Sequence, residues 1–581
     1  MANRTTNATL LTLLAWSVGC YVGLPDGAGV DAGTDGFADS GDDDEDDDGG
    51  ASGGSADGGG PGSGGDPSGG SSGADDGGDS PTGGDGTNPT TDPSGDDDDG
   101  GDETGSEETG SDVEPPPDSE LARDIAWSSI EMNQGVVIEV VRDGSYLSPT
   151  QRNADLIAGR PTLVRGFWTL GSGFTPRELE GRLIVSSGGS EDIYTDVRSV
   201  SGAPDPTSLD GGFLWEVPAG VIDQGSSFAF EIVETDDSLP GAAANDGARV
   251  PADGFEQAGT ATGAHVLEVV VVPLRYNAGG GLTPDLSQAN RTILENALYD
   301  QNPITQLDIS YRQVVDYGGA VNSGNQLGDI LGFLSQLKSQ DGAAPGVYYA
   351  GLVNIGCFVT GCGNAGTTGI AYVPGASQNS SFQRVSANVW FQPESSSGTV
   401  VHEIGHNQGL NHVFCPGGGA SGTDPAYPYN NGQLSGWGWG AKSGDIYGSN
   451  SYDYMSYCGP SWVSDWTWEK TRARIETLSA WSAAPPAPDT TLVLGHAYPD
   501  GSQSWFALHG ERLDPDQSSS TISFELDGAA SITVDAVEGD LSDDGGRWVV
   551  AEVPTEALDF RALVWRHDGV VETVASSAIA R

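Results

Sequence analysis

His402-Glu403-Ile404-Gly405-His406-Asn407-Gln408-Gly409-Leu410-Asn411-His412 is the stretch of the chain that decides how the rest is read. On a helix, His402 and His406 are four residues apart and share one face, so both imidazoles can reach a single ion. Glu403 lies beside that ion but points too far round the helix to be a third ligand. It is placed to hydrogen-bond a water instead. Gly409 can take a positive φ, which ends the helix and turns the chain, and that turn brings His412 back as the third ligand. Three neutral imidazoles leave the fourth position of a tetrahedral Zn2+ open, the layout of a catalytic site rather than a structural one. The remaining histidines, His265, His496, His509 and His567, are scattered singly and read as ordinary core or surface residues.

Outward from this string, the region 261–484 alternates strand and helix patterns. Val266–Val272, apolar except for Glu268, reads as a strand covered on both faces. Thr283-Pro284 fits an N-cap and first helical position, opening a helix to about Tyr299. A strand at Leu307–Val314, a helix at Leu327–Lys338 and a strand at Val347–Val353 follow, which is α/β order. Two flanking regions, 121–260 and 485–581, read instead as short strands separated by Gly, Pro and Asp, the pattern of β-sandwich-like domains. In the first the runs are Val136–Val141, Thr162–Trp168, Leu183–Val185, Phe213–Val217 and Phe228–Val233. In the second they are Thr491–Leu494, Thr521–Leu526, Ser531–Val537, Trp548–Val553, Arg561–Trp565 and Val570–Ala575. Pro485-Pro486-Ala487-Pro488 is a stiff linker before the second. The expected fold is thus multidomain, an α/β (α+β) catalytic domain between two β-sandwich-like domains.

The chain has 581 residues and a net charge of −60, and the acid is unevenly spread. Residues 21–120 hold 30 Asp/Glu and no Lys or Arg, whereas 121–581 hold 54 acids against 23 bases. Such acidity argues against nucleic acid and anionic membrane surfaces as partners, since both repel it. Residues 20–120 are Gly, Asp, Ser, Pro and Thr with Phe37 as the only aromatic after Tyr21. That composition cannot bury enough apolar surface to offset ordering entropy, so it reads as a disordered spacer that like charges extend. A structural Ca2+ is the other use for so much acid, although no loop has EF-hand spacing. No apolar run approaches the ~18–20 residues of a spanning helix. Residues 1–19, with a mainly apolar stretch from Ala8 to Gly19, have the length of a signal peptide and predict export.

The eleven-residue string resembles the metzincin zinc-peptidase signature, H-E-x-x-H-x-x-G-x-x-H. That family carries a tight turn with a Met beneath the metal, and Tyr454-Met455-Ser456-Tyr457 follows His412 at a matching distance. The resemblance implies that Met455 packs under the imidazoles without ligating. It also implies that Tyr457 matches the Tyr which in some metzincins swings to hydrogen-bond the developing oxyanion. Val385–Phe391 would be the edge strand that pairs with extended substrate, and Gly459–Val463 would wall the pocket for the residue after the scissile bond, with Trp462 either shaping that pocket or lying in the core. Ser464 would cap a helix to about Trp481 that closes the catalytic domain. Tyr427-Pro428-Tyr429 to Trp437-Gly438-Trp439, with Cys458, resembles large secreted bacterial metzincins, some of which cut glycoproteins and mucins.

With Cys20 set aside, four cysteines allow three pairings. The metzincin fold brings the positions of Cys415 and Cys458 together, which implies Cys415–Cys458 and leaves Cys357–Cys362 to close a small loop. A Cys-rich second zinc site is the alternative. Ser17-Val18-Gly19-Cys20 resembles the lipobox of bacterial lipoproteins, which implies lipid on Cys20 and an outer-membrane or cell-surface location. The reading is therefore an exported zinc endopeptidase, monomeric, acting on extracellular proteins or glycoproteins. The alternatives are a surface adhesin with an inactive metzincin-like domain and a zinc hydrolase of non-peptide amides.

Overall fold

The computed structural model describes residues 120–581 except 237, 240, 243–244, 277–279, 320, 322–325, 357–366, 482–489, 543–545 and 568. The leader and Cys20, nearly all of the acidic spacer, the Cys357–Cys362 pair and the Pro-rich linker therefore lie outside the described residues.

The first β region is built from two antiparallel sheets. One runs Ser145–Tyr146, Val137–Arg142, Ile125–Asn133, Thr162–Leu170, Phe213–Val217 in spatial order; the other runs Arg249–Val250, Ser227–Glu234, Arg177–Ser187, Ser190–Val200. All five expected runs fall in strands. Two long strands carried no readable pattern. In Ile125–Asn133 the pairing register shifts between Trp127 and Ser129. This bulge breaks the period of two, so Trp127 and Ile130 are both buried although three residues apart. Ser190–Val200 is an outer strand whose side chains are largely exposed, so its sequence is polar.

The middle region holds a sheet in the order Gln306–Tyr311, Val266–Tyr276, Tyr348–Val353, Val385–Val389, Gly369–Ala371, with Val315–Tyr317 pairing further along Val266–Tyr276. All pairings are parallel except the last. Among the described residues these helices accompany it: α1 (Gln288–Asp300), α2 (Leu327–Gln340), α3 (Pro393–Asn407) and α4 (Asp465–Ser479). Helix α1 begins after Ser287, not at Thr283-Pro284. The Asp285 carboxylate accepts from the Ser287 N–H at 3.0 Å, a local turn that holds the preceding residues out of the helix. Leu267, Val269 and Val271 bury against α1 and α3, while Val272 and Leu274 bury with α2. Cover on both faces is what the mainly apolar run requires.

The C-terminal region differs from the two stacked sheets expected. It is one seven-stranded antiparallel sheet, in the order Gln503–Gly510, Thr490–Ala497, Arg547–Glu552, Ile532–Asp540, Ser520–Glu525, Ala562–His567, Val570–Ala575. The sheet curls, so that the segment after its last strand returns to its first, with Ala507 N–H donating to Ala580 O at 2.8 Å. Its Leu492, Leu494, Phe506 and Leu508 share a core with α2 and the sheet of the middle region. Tyr372 and His496 add a buried hydrogen bond of 2.5 Å across that contact.

The first β region is joined as closely. Its turn at Asn133–Val136 enters the middle region, where Gly135 (φ +142°) abuts Trp468 so tightly that a Cβ would overlap the indole. The Gly135 carbonyl accepts from Trp462 Nε1 at 2.7 Å. Arg160 is completely buried. Its guanidinium donates to Gln134 O, Tyr299 O (2.8 Å), Asp300 O (3.2 Å), Asn302 O (3.1 Å) and Ile304 O (2.7 Å). It thereby takes up carbonyls that the C-terminal end of α1 leaves without helical partners, and it lies over the rings of Tyr299 and Trp468.

Candidate metal centre

Pro393 opens α3 at its first helical positions, and Glu394 sits in the first turn, where its charge suits the helix dipole. The helix ends at Asn407, Gly409 follows with φ +89°, and Leu410 N–H returns to Gly405 O at 3.1 Å. A side chain at Gly409 would run into the Arg474 guanidinium. The turn delivers His412 to the two helical histidines as the sequence predicts.

Each imidazole is held through Nδ1 by a backbone carbonyl. His402 pairs with Tyr454 O at 2.7 Å, His406 with Leu410 O at 2.8 Å, and His412 with Ser421 O at 2.7 Å. A carbonyl only accepts, so Nδ1 carries the proton and Nε2 presents its lone pair. One ligand nitrogen from each of the three histidines lies within 4.8 Å of the others, and His406 Nε2 is 3.2 Å from His412 Nε2. Lone pairs turned on each other at that distance repel unless a cation lies between them. Two ligands on ~2.0–2.1 Å bonds at a tetrahedral angle would be about 3.3 Å apart, so the donor set fits Zn2+.

Beneath the histidines, Met455 is fully buried, and its Sδ packs on Gly405, where a Cβ would lie 2.5 Å from the sulfur. The turn is tied back to the ligand segment by Val413 N–H donating to Met455 O at 2.9 Å. The Cys415–Cys458 disulfide spans the same two segments with Cα atoms 6.2 Å apart. The Tyr457 ring centroid is 4.8 Å from that of His412 and 5.8 Å from that of His402. Ser464 caps α4 through Thr467 N–H. Trp462 is buried, stacked on Tyr447 at 4.2 Å and bonded to Gly135. It is therefore a core residue joining the two regions.

The edge strand is not Val385–Phe391. Val385–Val389 is paired on both sides, and the outer position belongs to the antiparallel strand Gly369–Ala371. A three-residue strand carries no periodicity that sequence could show. Gly369 lies against α3, and a Cβ there would fall on Glu403 Oε1 and 2.7 Å from Thr399 Cγ2. Glu403 itself is 3 % exposed.

Two further residues escaped sequence reading because their roles depend on partners far along the chain. Asn407 donates through Nδ2 to Tyr372 O, Gln383 O and Val385 O, pinning the end of α3 to the sheet. Asp453, fully buried, accepts from Met455 N–H (2.8 Å), Ser464 Oγ–H (2.5 Å) and Thr467 Oγ1–H (2.6 Å). Burial pushes its carboxyl up from the usual range, with those hydrogen bonds opposing the shift. Asp453 thus fixes the Met455 turn to the start of α4. Asp453→Asn turns one acceptor into a donor facing donors, and is expected to weaken zinc binding by about 10–100-fold, measured by competition with a chelator.

No curated protein matches the chain. Residues 296–413 match the metallo-peptidase family M12B, reprolysin-like, and residues 388–463 match the peptidase M66 family. The two overlap on the histidine helix and together run from α1 to the turn before α4. With the three converging imidazoles, these matches support a zinc metallopeptidase.

Proposed function

We propose that the chain is an exported zinc endopeptidase of metzincin type that hydrolyses extracellular proteins or glycoproteins. The observation that carries this reading is the set of three imidazoles, each fixed through Nδ1, beside Glu403 and above Met455. His402, His406 and His412 would hold Zn2+, which when bound supplies Lewis acidity to the scissile carbonyl and makes water easier to deprotonate. Glu403 accepts the proton of the attacking water and passes it to the leaving amine. Its burial keeps bulk water from competing for that proton. Tyr457, its ring beside His412 and His402, donates to the oxygen that gains charge. Met455 and the Cys415–Cys458 bond hold the third ligand and Tyr457 in one frame. Export, lipid attachment at Cys20 and a surface location rest on the leader and the Ser17–Cys20 string. A spacer over 20–120 would hold the enzyme away from the membrane.

A diverse peptide library read by mass spectrometry tests the proposal. The zinc-loaded protein is expected to cleave, and chelation to stop it. Glu403→Gln should lower kcat by about 10³-fold or more while zinc content stays at one ion. Unchanged turnover in Glu403→Gln would remove the general base, and no cleavage by zinc-loaded wild type would favour the adhesin reading.

A further inference from the structure

The outer strand of the catalytic sheet is Gly369–Ala371, and its main-chain groups alternate between facing in and facing out. Thr368 O accepts from Val389 N–H at 2.8 Å and Ile370 lies opposite Ala387, so Thr368 and Ile370 face inward. Gly369 and Ala371 then face outward. The outward groups of Ala371 are met by one side chain of the C-terminal sheet. Ser542 Oγ lies 3.4 Å from Ala371 N and donates to Ala371 O at 3.0 Å. Ser542 is held there from both sides. Leu541 before it is buried in the core shared with the catalytic sheet, and Tyr372 after Ala371 is bonded to His496 and packed edge-on against Trp548.

We propose that Ser542 is a specificity-determining residue that ends the strand pairing of substrate at Ala371. This rests on the peptidase reading above. An extended substrate that adds to this edge begins at Gly369, which lies against Glu403, and pairs outward from there. Antiparallel addition sends its amino-terminal side toward Ala371. The N–H and C=O that a longer pairing would need are already held by the Ser542 hydroxyl, so main-chain recognition on that side stops after the residue opposite Gly369. The C-terminal region thus forms one end of the substrate cleft, and selectivity farther out must come from side chains.

The test uses the full zinc-loaded chain and nested peptides sharing one cleaved bond, lengthened residue by residue at either end. For wild type, kcat/KM should change less than about twofold once the amino-terminal side exceeds two residues. Backbone N-methylation beyond that point should be equally silent. In Ser542→Gly, extension should raise kcat/KM by about fivefold, the worth of one net hydrogen bond, and N-methylation should abolish the gain. An unchanged thermal midpoint in the variant would show that the regions remain docked. A steady wild-type gain with each added residue, or the same length dependence in Ser542→Gly, would overturn the proposal. Failure of wild type to cleave any peptide would count against the peptidase reading itself, a result that the length series separates from the others.

Discussion

Arg160→Ala should lower the stability of the protein by about 4 kcal/mol or more, one of the largest losses expected from a single substitution outside the metal site. The guanidinium is fully buried and donates to five backbone carbonyls, four of them at or just beyond the end of α1. Each buried carbonyl left without a donor costs about 1–3 kcal/mol, and part of the cost is recovered where water can enter the gap. The Asp300 carboxylate, the negative end of the α1 dipole and the faces of Tyr299 and Trp468 all help to stabilise the cation against the cost of burial. Arg160→Lys should recover only part of the loss, because an ammonium has three donors and lacks the planar fork. Urea unfolding followed by tryptophan fluorescence reads the effect, and a loss under about 1 kcal/mol in Arg160→Ala would contradict it.

Gly369→Ala should lower kcat by about 10²-fold while zinc content and stability change little. The added methyl would fall on Glu403 Oε1 and come within 2.7 Å of Glu403 Cγ and Thr399 Cγ2. Thr399 lies one turn before Glu403 on α3, whose end Asn407 pins to the sheet. The carboxylate has to move. With Glu403 in its proposed role of moving the proton, a displacement of about 1 Å costs on the order of 10²-fold. The histidines are not touched by the methyl, so metal affinity separates this effect from loss of the site. A kcat within threefold of wild type would show that Glu403 has room the packing denies.

Local spacing made the three histidines, Glu403 and the α4 cap legible, because each is set by neighbours within a few residues on a helix or turn, whereas Met455 came from the family resemblance. Cys415–Cys458 followed once those segments were placed together. What sequence could not show depends on partners distant in the chain. Gly369 matters only because a three-residue strand lies on Glu403, and Asp453 only because Ser464 and Thr467 meet it. Val385–Val389 looked like an edge because its outer neighbour is too short to read. Ile125–Asn133 was hidden by a bulge, and Arg160 gives no hint in sequence of the helix end it serves.

The position of Arg160 also bears on how the protein is made. Wherever the chain emerges N-terminus first, the region containing Arg160 and Gly135 precedes α1 and α4, so the donors for the helix end are available when it forms. The C-terminal sheet emerges after the histidine helix, and until it docks, the α2 face of the catalytic sheet lacks the cover of Leu492, Leu494 and Phe506. Docking of the C-terminal sheet is therefore the late step, after the histidine helix is already present in the chain.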